Sequence, residues 1–343
     1  MSSPVYAIRG GRVVSVSAPE IAKGIVIIRA GRIESVGAEG SVAVPAGAEI
    51  IDASGLTVYP GMIDAATALG LAEIASVAAT LDLNEVGELN PHAQAYYGIN
   101  PHSAHINVTR ASGVTSAASL PAGGLISGQA AFINLDSMTP REMALVPTVA
   151  LVINYPTSAV PFFFPAQQTP PSLTEQITTR DRQVDALRKI LRDAEAYARA
   201  IDAYQSDKNL PRPVESVVLK ALVPYVRGER AVMIRANRES DIRAAVRFAG
   251  ELGLRAVIVG GNDAWKAAAL LKERNVPVVL TGVLDLPAHE DDYYDTLYEA
   301  AARLQRSGVR FCISTGDTGA HVRDLPYHAG MAAAFWTFAR GSP

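Results

Sequence analysis

From Pro60 onward the chain alternates short, strongly apolar runs with stretches long enough for helices, and this alternation limits the fold more than any other feature. The runs are "GMIDAA", "GVTSAASL", "VALVIN", "RAVMIRA", "LRAVIVGG", "VPVVLTG" and "VRFCIST". Most are apolar on both alternating faces, the pattern of parallel strands buried between layers of helix. Between them, "SLTEQITTRDRQVDALRKILRDAEAYARAIDAYQ" opens with Ser172 and Glu175 in capping-box spacing. "ESDIRAAVRFAGELG" and "DDYYDTLYEAAARLQRSG" stop at glycines, as helices often do. Seven or eight such units over roughly 250 residues predict an α/β fold, a (β/α)₈ TIM-like barrel, rather than an open sheet. No Gly-x-Gly-x-x-Gly fingerprint follows the first strand, which argues against dinucleotide binding.

Residues 4–58 have a different rhythm. Short β-rich runs such as "VYAIRG", "GIVIIRAGRIESVG" and "AEIIDASGLTVY" are separated by glycine turns, so a small β-domain is expected there and the barrel over 59–343.

With 49% hydrophobic and 19% charged residues, the chain can bury a large core and is not composed like a disordered protein. A net charge of −3 gives no electrostatic case for nucleic acid or an anionic membrane. The single cysteine, Cys312, excludes an intrachain disulfide and a thiolate-rich metal site. The most apolar stretch is broken by Pro147, Asn154, Pro156 and Pro161, so it does not read as a membrane helix. The opening "MSSPVYAIRGG" lacks the pattern of a signal peptide. The expectation is a cytoplasmic protein, or a secreted or periplasmic one if a leader is missing.

The segments "AGRIESVG", "IIDASGLTVYPGMIDA", "ASGVTSAASLPAGGLISGQAA", "IRANRESDIRAA", "GGNDAWKAAALL" and "DLPYHAGMAAAF" resemble the amidohydrolase superfamily, in its imidazolonepropionase-like branch. The resemblance spans almost the whole chain. It implies a metal-dependent barrel hydrolase of C–N bonds in cyclic or linear amides, usually using zinc or another divalent metal. It also implies that residues 4–58 are the N-terminal half of a β-sandwich domain completed by a C-terminal return segment.

The ligand positions depart from that pattern. Where the family reads Ile-Asp-Ala-His-Thr-His, this chain has Ala66 and Ala68 in place of the two histidines. The histidines at the ends of the next two relevant strands align with Arg235 and Gly260. A methyl group or a hydrogen cannot coordinate, and a guanidinium repels a cation. The last expected ligand, an aspartate that also shuttles protons, is displaced to Asp317. No metal and no other cofactor is therefore expected. Arg235 takes the space and charge of the missing ion, and Asn237, two residues on, shares its side of the chain.

Other residues offer weaker leads. His102 and His105 have helical metal-pair spacing, or sit on a plain surface helix. His321 and His328 follow the last strand, near the mouth where barrel active sites form. In "LPAGGLISGQAA" the glycines either face backbone N–H groups toward a ligand or permit turns. Asp82, Glu85 and Glu88 are solvated loop charges, or one of them pairs with Arg235. The tail from Trp336 to Pro343 can be encoded so that a one-base shift restores a family-like continuation, which reads as a frameshift truncating the chain after the last barrel strand.

Three functions remain open at this level. One is a metal-free pseudoenzyme that binds a small amide-like or anionic ligand through Arg235 and Asn237, with His321 and His328 nearby. The second is an active hydrolase built on Asp317 with His321 or His328. The third is a damaged copy without independent function. The sequence names no macromolecular partner and no oligomeric state.

Overall fold

A computed structural model describes residues 4–157, 171–287, 292–316 and 319–338. The chain divides into two units, Met1–Met62 and Ile63–Pro343.

The first unit is β throughout. Strands β1 (Val5–Arg9), β3 (Gly24–Arg29), β4 (Arg32–Ala38) and β5 (Glu49–Asp52) form a sheet in the order β4-β3-β1-β5. The β1–β3 and β3–β4 pairs are antiparallel, and β1–β5 is parallel. A two-stranded parallel ribbon joins β2 (Arg12–Val13) to β6 (Thr57–Val58). Ala7 of β1 with Ile25 and Ile27 of β3 are the buried core of the four-stranded sheet. Ile33, Ile50 and Ile51 are exposed.

The second unit is an eight-stranded, nearly closed barrel. Its strands are β7 (Met62–Thr67), β8 (Val114–Ser119), β9 (Ile126–Asn134), β10 (Ala144–Asn154), β11 (Ala231–Ala236), β12 (Arg255–Gly260), β13 (Val278–Leu280) and β14 (Phe311–Ile313), neighbours in that order. The helices are α1 (Ala95–Gly98), α2 (Ala104–Ala111), α3 (Pro140–Met143), α4 (Leu173–Ser206), α5 (Val217–Val226), α6 (Glu239–Glu251), α7 (Ala268–Glu273), α8 (Thr296–Ser307) and α9 (Leu325–Phe338). None of the described helices is long and apolar enough to cross a membrane. The Ser172–Glu175 capping box starts α4: each side chain satisfies the other's backbone N–H.

Strand alternation divides the core in two. Ile153, Ile234, Ile258 and Leu280 turn outward into one cluster with Leu187 and Leu191 of α4 and Ile242 of α6. Val152, Val259 and Val279 face the opposite way, into the barrel, with Ala66, Ala118 and Ala130. Each fully buried aliphatic side chain contributes about 1.5–3 kcal/mol of transfer free energy. Both faces are apolar because both are buried.

One barrel strand, β9, has no counterpart among the seven apolar runs and lies where the sequence reads as a glycine-rich loop. Most of β9 falls within "LPAGGLISGQAA" and beyond it, and it runs antiparallel to both β8 and β10. The strictly parallel (β/α)₈ expectation is corrected there, since a hairpin replaces one helical crossover. Gly128 stands inside β9 with φ +136°, and a Cβ would lie 2.8 Å from the Ala93 carbonyl oxygen, so the glycine allows two backbones to meet.

The ends of the sheet are joined by a polar knot. Gly316 N–H donates to the Ala66 carbonyl at 3.1 Å, and Ala66 N–H to Ser314 Oγ at 2.9 Å. Asp64 is fully buried beneath this seam. Its carboxylate accepts from the Ser314 hydroxyl, from Thr315 Oγ1 at 2.6 Å and from Thr315 N–H at 3.3 Å. Burial outweighs these hydrogen bonds and pushes its pKa above the usual 3.8.

Asp263 is a buried carboxylate just beyond the end of β12 that works away from its own segment. It precedes a short 3₁₀ turn but makes no side-chain cap there. Its Oδ2 instead accepts from the Glu239 N–H at 3.2 Å, at the start of α6, where Arg238 offers no capping oxygen.

Candidate functional site

A cavity of about 310 Å³ opens at the C-terminal ends of the barrel strands. Its wall includes Ala66, Thr67 and Ala68 from the end of β7, Arg235 and Asn237 from the end of β11, and Val259 and Gly260 from β12. Leu83, Leu120, Ala122, Thr281 and Gly316 complete the described lining. Ala66, Ala68, Arg235 and Gly260, the four positions at which the resemblance led one to expect metal ligands, thus border one space, at the end of the barrel where barrel enzymes carry their active sites.

Arg235 reaches it by strand parity. Val232 and Ile234 of β11 face the helices, whereas Met233 packs on the inner cluster. Arg235 shares the inward face with Met233. Burial lowers its pKa from 12.5 to about 10, so it remains a cation at neutral pH. Its Nη1 donates to Asn154 Oδ1 at 3.3 Å. Among the described residues that is its one side-chain hydrogen bond, and no carboxylate pairs with it.

Asn154 is a site residue that sequence reasoning missed. Its Nδ2 donates to the carbonyls of Gly124 (2.7 Å) and Gly123 (3.2 Å) and to Ser127 Oγ (3.0 Å). One amide therefore ties the glycine loop to the barrel cation. The only cue in the sequence is a polar residue ending the apolar run "VALVIN". Gly123 and Gly124 have φ +76° and +59°, so the turn reading of these glycines holds. They do not line the cavity; Leu120 and Ala122 do.

Asn237 makes no side-chain hydrogen bond within the described residues, which leaves its amide available at the cavity wall. It lies against Gly260: a Cβ there would be 2.2 Å from Asn237 Oδ1. Gly260, at φ +102°, gives Asn237 its room.

The other candidates lie elsewhere. His321 is exposed and its Nδ1 pairs with Asp324 Oδ2 at 3.1 Å. His328 is buried within α9. Neither is among the described lining residues. His102 and His105 do not share a helical face, because Ser103 is the N-cap of α2 and His102 precedes it. His105 Nε2 instead meets the Glu73 carbonyl at 2.9 Å. Asp82, Glu85 and Glu88 are exposed, and no ion pair joins any of them to Arg235. Asp317, the catalytic candidate, lies outside the described residues.

A catalytic zinc of the family type takes imidazole, carboxylate or thiolate ligands. The described lining offers methyl groups, glycine hydrogens, hydroxyls, an amide and a guanidinium. Among the described residues no group of three or more His, Cys, Asp or Glu is placed to hold a metal ion. These residues do not fit the metal that the fold family implies.

No family model matches the chain, and no curated protein matches it. Solved structures do. An amidohydrolase from Thermotoga maritima superposes with a TM-score of 0.81 at 22% identity, over 98% of this chain and 84% of that one. A second amidohydrolase gives 0.51 at 17%, over 96% and 82%. A prolidase complexed with N-methylphosphonate-L-proline gives 0.50 at 18%, over 98% and 85%. The chain shares the fold of these structures.

Proposed function

We propose that this chain is an amidohydrolase-fold protein whose barrel mouth binds a small anionic molecule at Arg235, in place of metal-assisted amide hydrolysis. The segments quoted above support an imidazolonepropionase-like branch, with residues 4–58 as part of a β-sandwich domain. The observation that carries the reading is the Arg235 guanidinium, held at the cavity wall without a carboxylate partner among the described residues. Taking a cation out of water carries a large desolvation penalty unless an opposite charge answers it. A bound anion supplies that charge, and Asn237 adds a donor and an acceptor beside it.

Hydrolysis of a C–N bond is the competing reading, favoured by the fold, and fold alone does not assign chemistry. It requires Asp317 to work without the remaining family ligands. A non-functional frameshifted copy is the third, and the nucleotide sequence around codon 336 decides it. The test between the first two is metal analysis by inductively coupled plasma spectrometry, together with calorimetric titration of sodium acetate into the purified protein. The proposal expects no stoichiometric zinc, nickel, manganese or iron, and a binding heat that Arg235→Met removes. One equivalent of tightly held metal contradicts it.

A further inference from the structure

The geometry points to one ligand class for this site: a monocarboxylate with a compact apolar body and no second charge. This rests on the reading that Arg235 binds an anion, and it adds what the rest of the molecule must be.

The first argument is the distribution of polarity. Apart from Arg235, the polar side chains of the described lining are Thr67, Asn237 and Thr281, all neutral. They offer no counter-charge to an ammonium group. The remaining wall is alkyl, chiefly Ala66, Ala68, Leu83, Leu120 and Val259. The described wall carries one cation and is otherwise mostly hydrocarbon, so a ligand with one anionic group and an apolar body satisfies both.

Size supplies the second argument. An apolar cavity of roughly 150 Å³ holds one benzene molecule, and this one has about 310 Å³. Inorganic phosphate or acetate would leave most of the apolar wall unused. A carboxylate with some eight to twelve non-hydrogen atoms covers it, each buried methylene adding about 0.8 kcal/mol, roughly fourfold in affinity. A planar carboxylate also suits the guanidinium fork better than a spherical ion does.

Orientation comes third: Arg235 is held but, among the described residues, not neutralised. Asn154 Oδ1 engages one Nη1 hydrogen and leaves the rest of the donor fork unengaged by the described residues. Asn154 is itself anchored through three further hydrogen bonds. The cation is therefore oriented before the ligand arrives, which lowers the ordering entropy that binding must overcome.

The experiment is isothermal titration of the full chain with acetate, butanoate, 4-methylpentanoate, 3-phenylpropanoate, leucine and inorganic phosphate. Leucine is 4-methylpentanoate with an α-ammonium added, so this pair isolates the second charge. The expected result is that 4-methylpentanoate or 3-phenylpropanoate binds at least about tenfold tighter than acetate or phosphate, and that leucine binds at least about tenfold weaker than 4-methylpentanoate. The class is overturned if affinity is independent of the apolar body, or if leucine or phosphate equals the best carboxylate. In those cases binding abolished by Arg235→Met still supports an anion site. If no anion in the series binds, or if folded Arg235→Met binds as the wild type does, the anion reading fails together with the class.

Discussion

Asn154 and Arg235 are register partners on neighbouring parallel strands, and their side chains meet at 3.3 Å, Nη1 to Oδ1. The choice of an amide at position 154 has an electrical consequence. An amide orients the guanidinium without neutralising it, whereas a carboxylate of the same shape would do both. The Asn154→Asp variant is expected to pair internally with Arg235 and to lose at least about tenfold in carboxylate affinity. It also loses the donor that holds Gly123 and Gly124, so thermal stability is measured alongside. Unchanged affinity in a folded variant would show that Arg235 does not contact the ligand.

The lowered pKa of Arg235, about 10, sets a pH limit on binding. A lowered base gives up its proton earlier, so anion affinity should be flat from pH 7 to about 9 and fall above about 10, well short of the usual arginine value. Stability of the unliganded protein moves the opposite way: the burial penalty is in force while the group is charged and is relieved as pH rises through about 10, so stability should rise where affinity falls. Titration with 4-methylpentanoate between pH 7 and 11 checks this, with Arg235→Met as the background. Affinity that holds constant through pH 11 would mean that the guanidinium is not desolvated as described.

Removing the charge should itself stabilise the apo protein. Arg235→Met replaces a partly buried cation, which no carboxylate among the described residues neutralises, with an apolar chain of comparable reach, and a gain of roughly 1–2 kcal/mol is expected in urea unfolding. The wild type should recover the difference when saturated with carboxylate, whereas the variant should not respond. A variant less stable than the apo wild type would indicate that the guanidinium is well satisfied in the folded state.

Asp64 gives an opposite test at the seam of the barrel. Its pKa is raised by burial, so the folded state favours the protonated form. Its contribution to stability is greatest below the unfolded value of 3.8 and declines as pH rises through the raised folded value. The stability of wild type minus that of Asp64→Asn, measured by urea unfolding, should therefore fall from pH 3.5 upward and then level off. A difference that grows with pH would mean that the hydrogen bonds from Ser314 and Thr315 outweigh desolvation.

Much of this arrangement was legible in the sequence. Strand runs such as "RAVMIRA" announce themselves because both faces are buried, and Arg235 stands out because a charge ends an apolar strand. β9 was hidden for a physical reason: its serine, glycine and glutamine residues look like a loop, yet they are buried against Ala93 and Tyr225, with Gln129 Oε1 accepting from the Tyr225 hydroxyl at 3.0 Å. Asn154 was hidden because its role depends on two loop carbonyls some thirty residues away in sequence. Helical spacing misplaced His102 because Ser103, as an N-cap, starts the helix one residue too late for it.

Placing histidines at Ala66 and Ala68 should not create a metal site. In Ala66→His/Ala68→His the new imidazoles would line the cavity that Arg235 also borders, and two ligands beside a cation fall short of the three that a catalytic zinc normally needs. Equilibrium dialysis against zinc is expected to find no stoichiometric binding at the cavity. One tightly bound equivalent that depends on both histidines would contradict this.

The most direct measurement is a crystal structure of the wild-type protein soaked in sodium bromide, with anomalous scattering used to locate the halide. The account predicts a bromide within hydrogen-bonding distance of the Arg235 guanidinium, in the cavity beside Asn237, and no such peak in Arg235→Met. A protein carboxylate, such as that of Asp317, paired with Arg235, or a metal ion coordinated in that cavity by side chains of the chain, would contradict it.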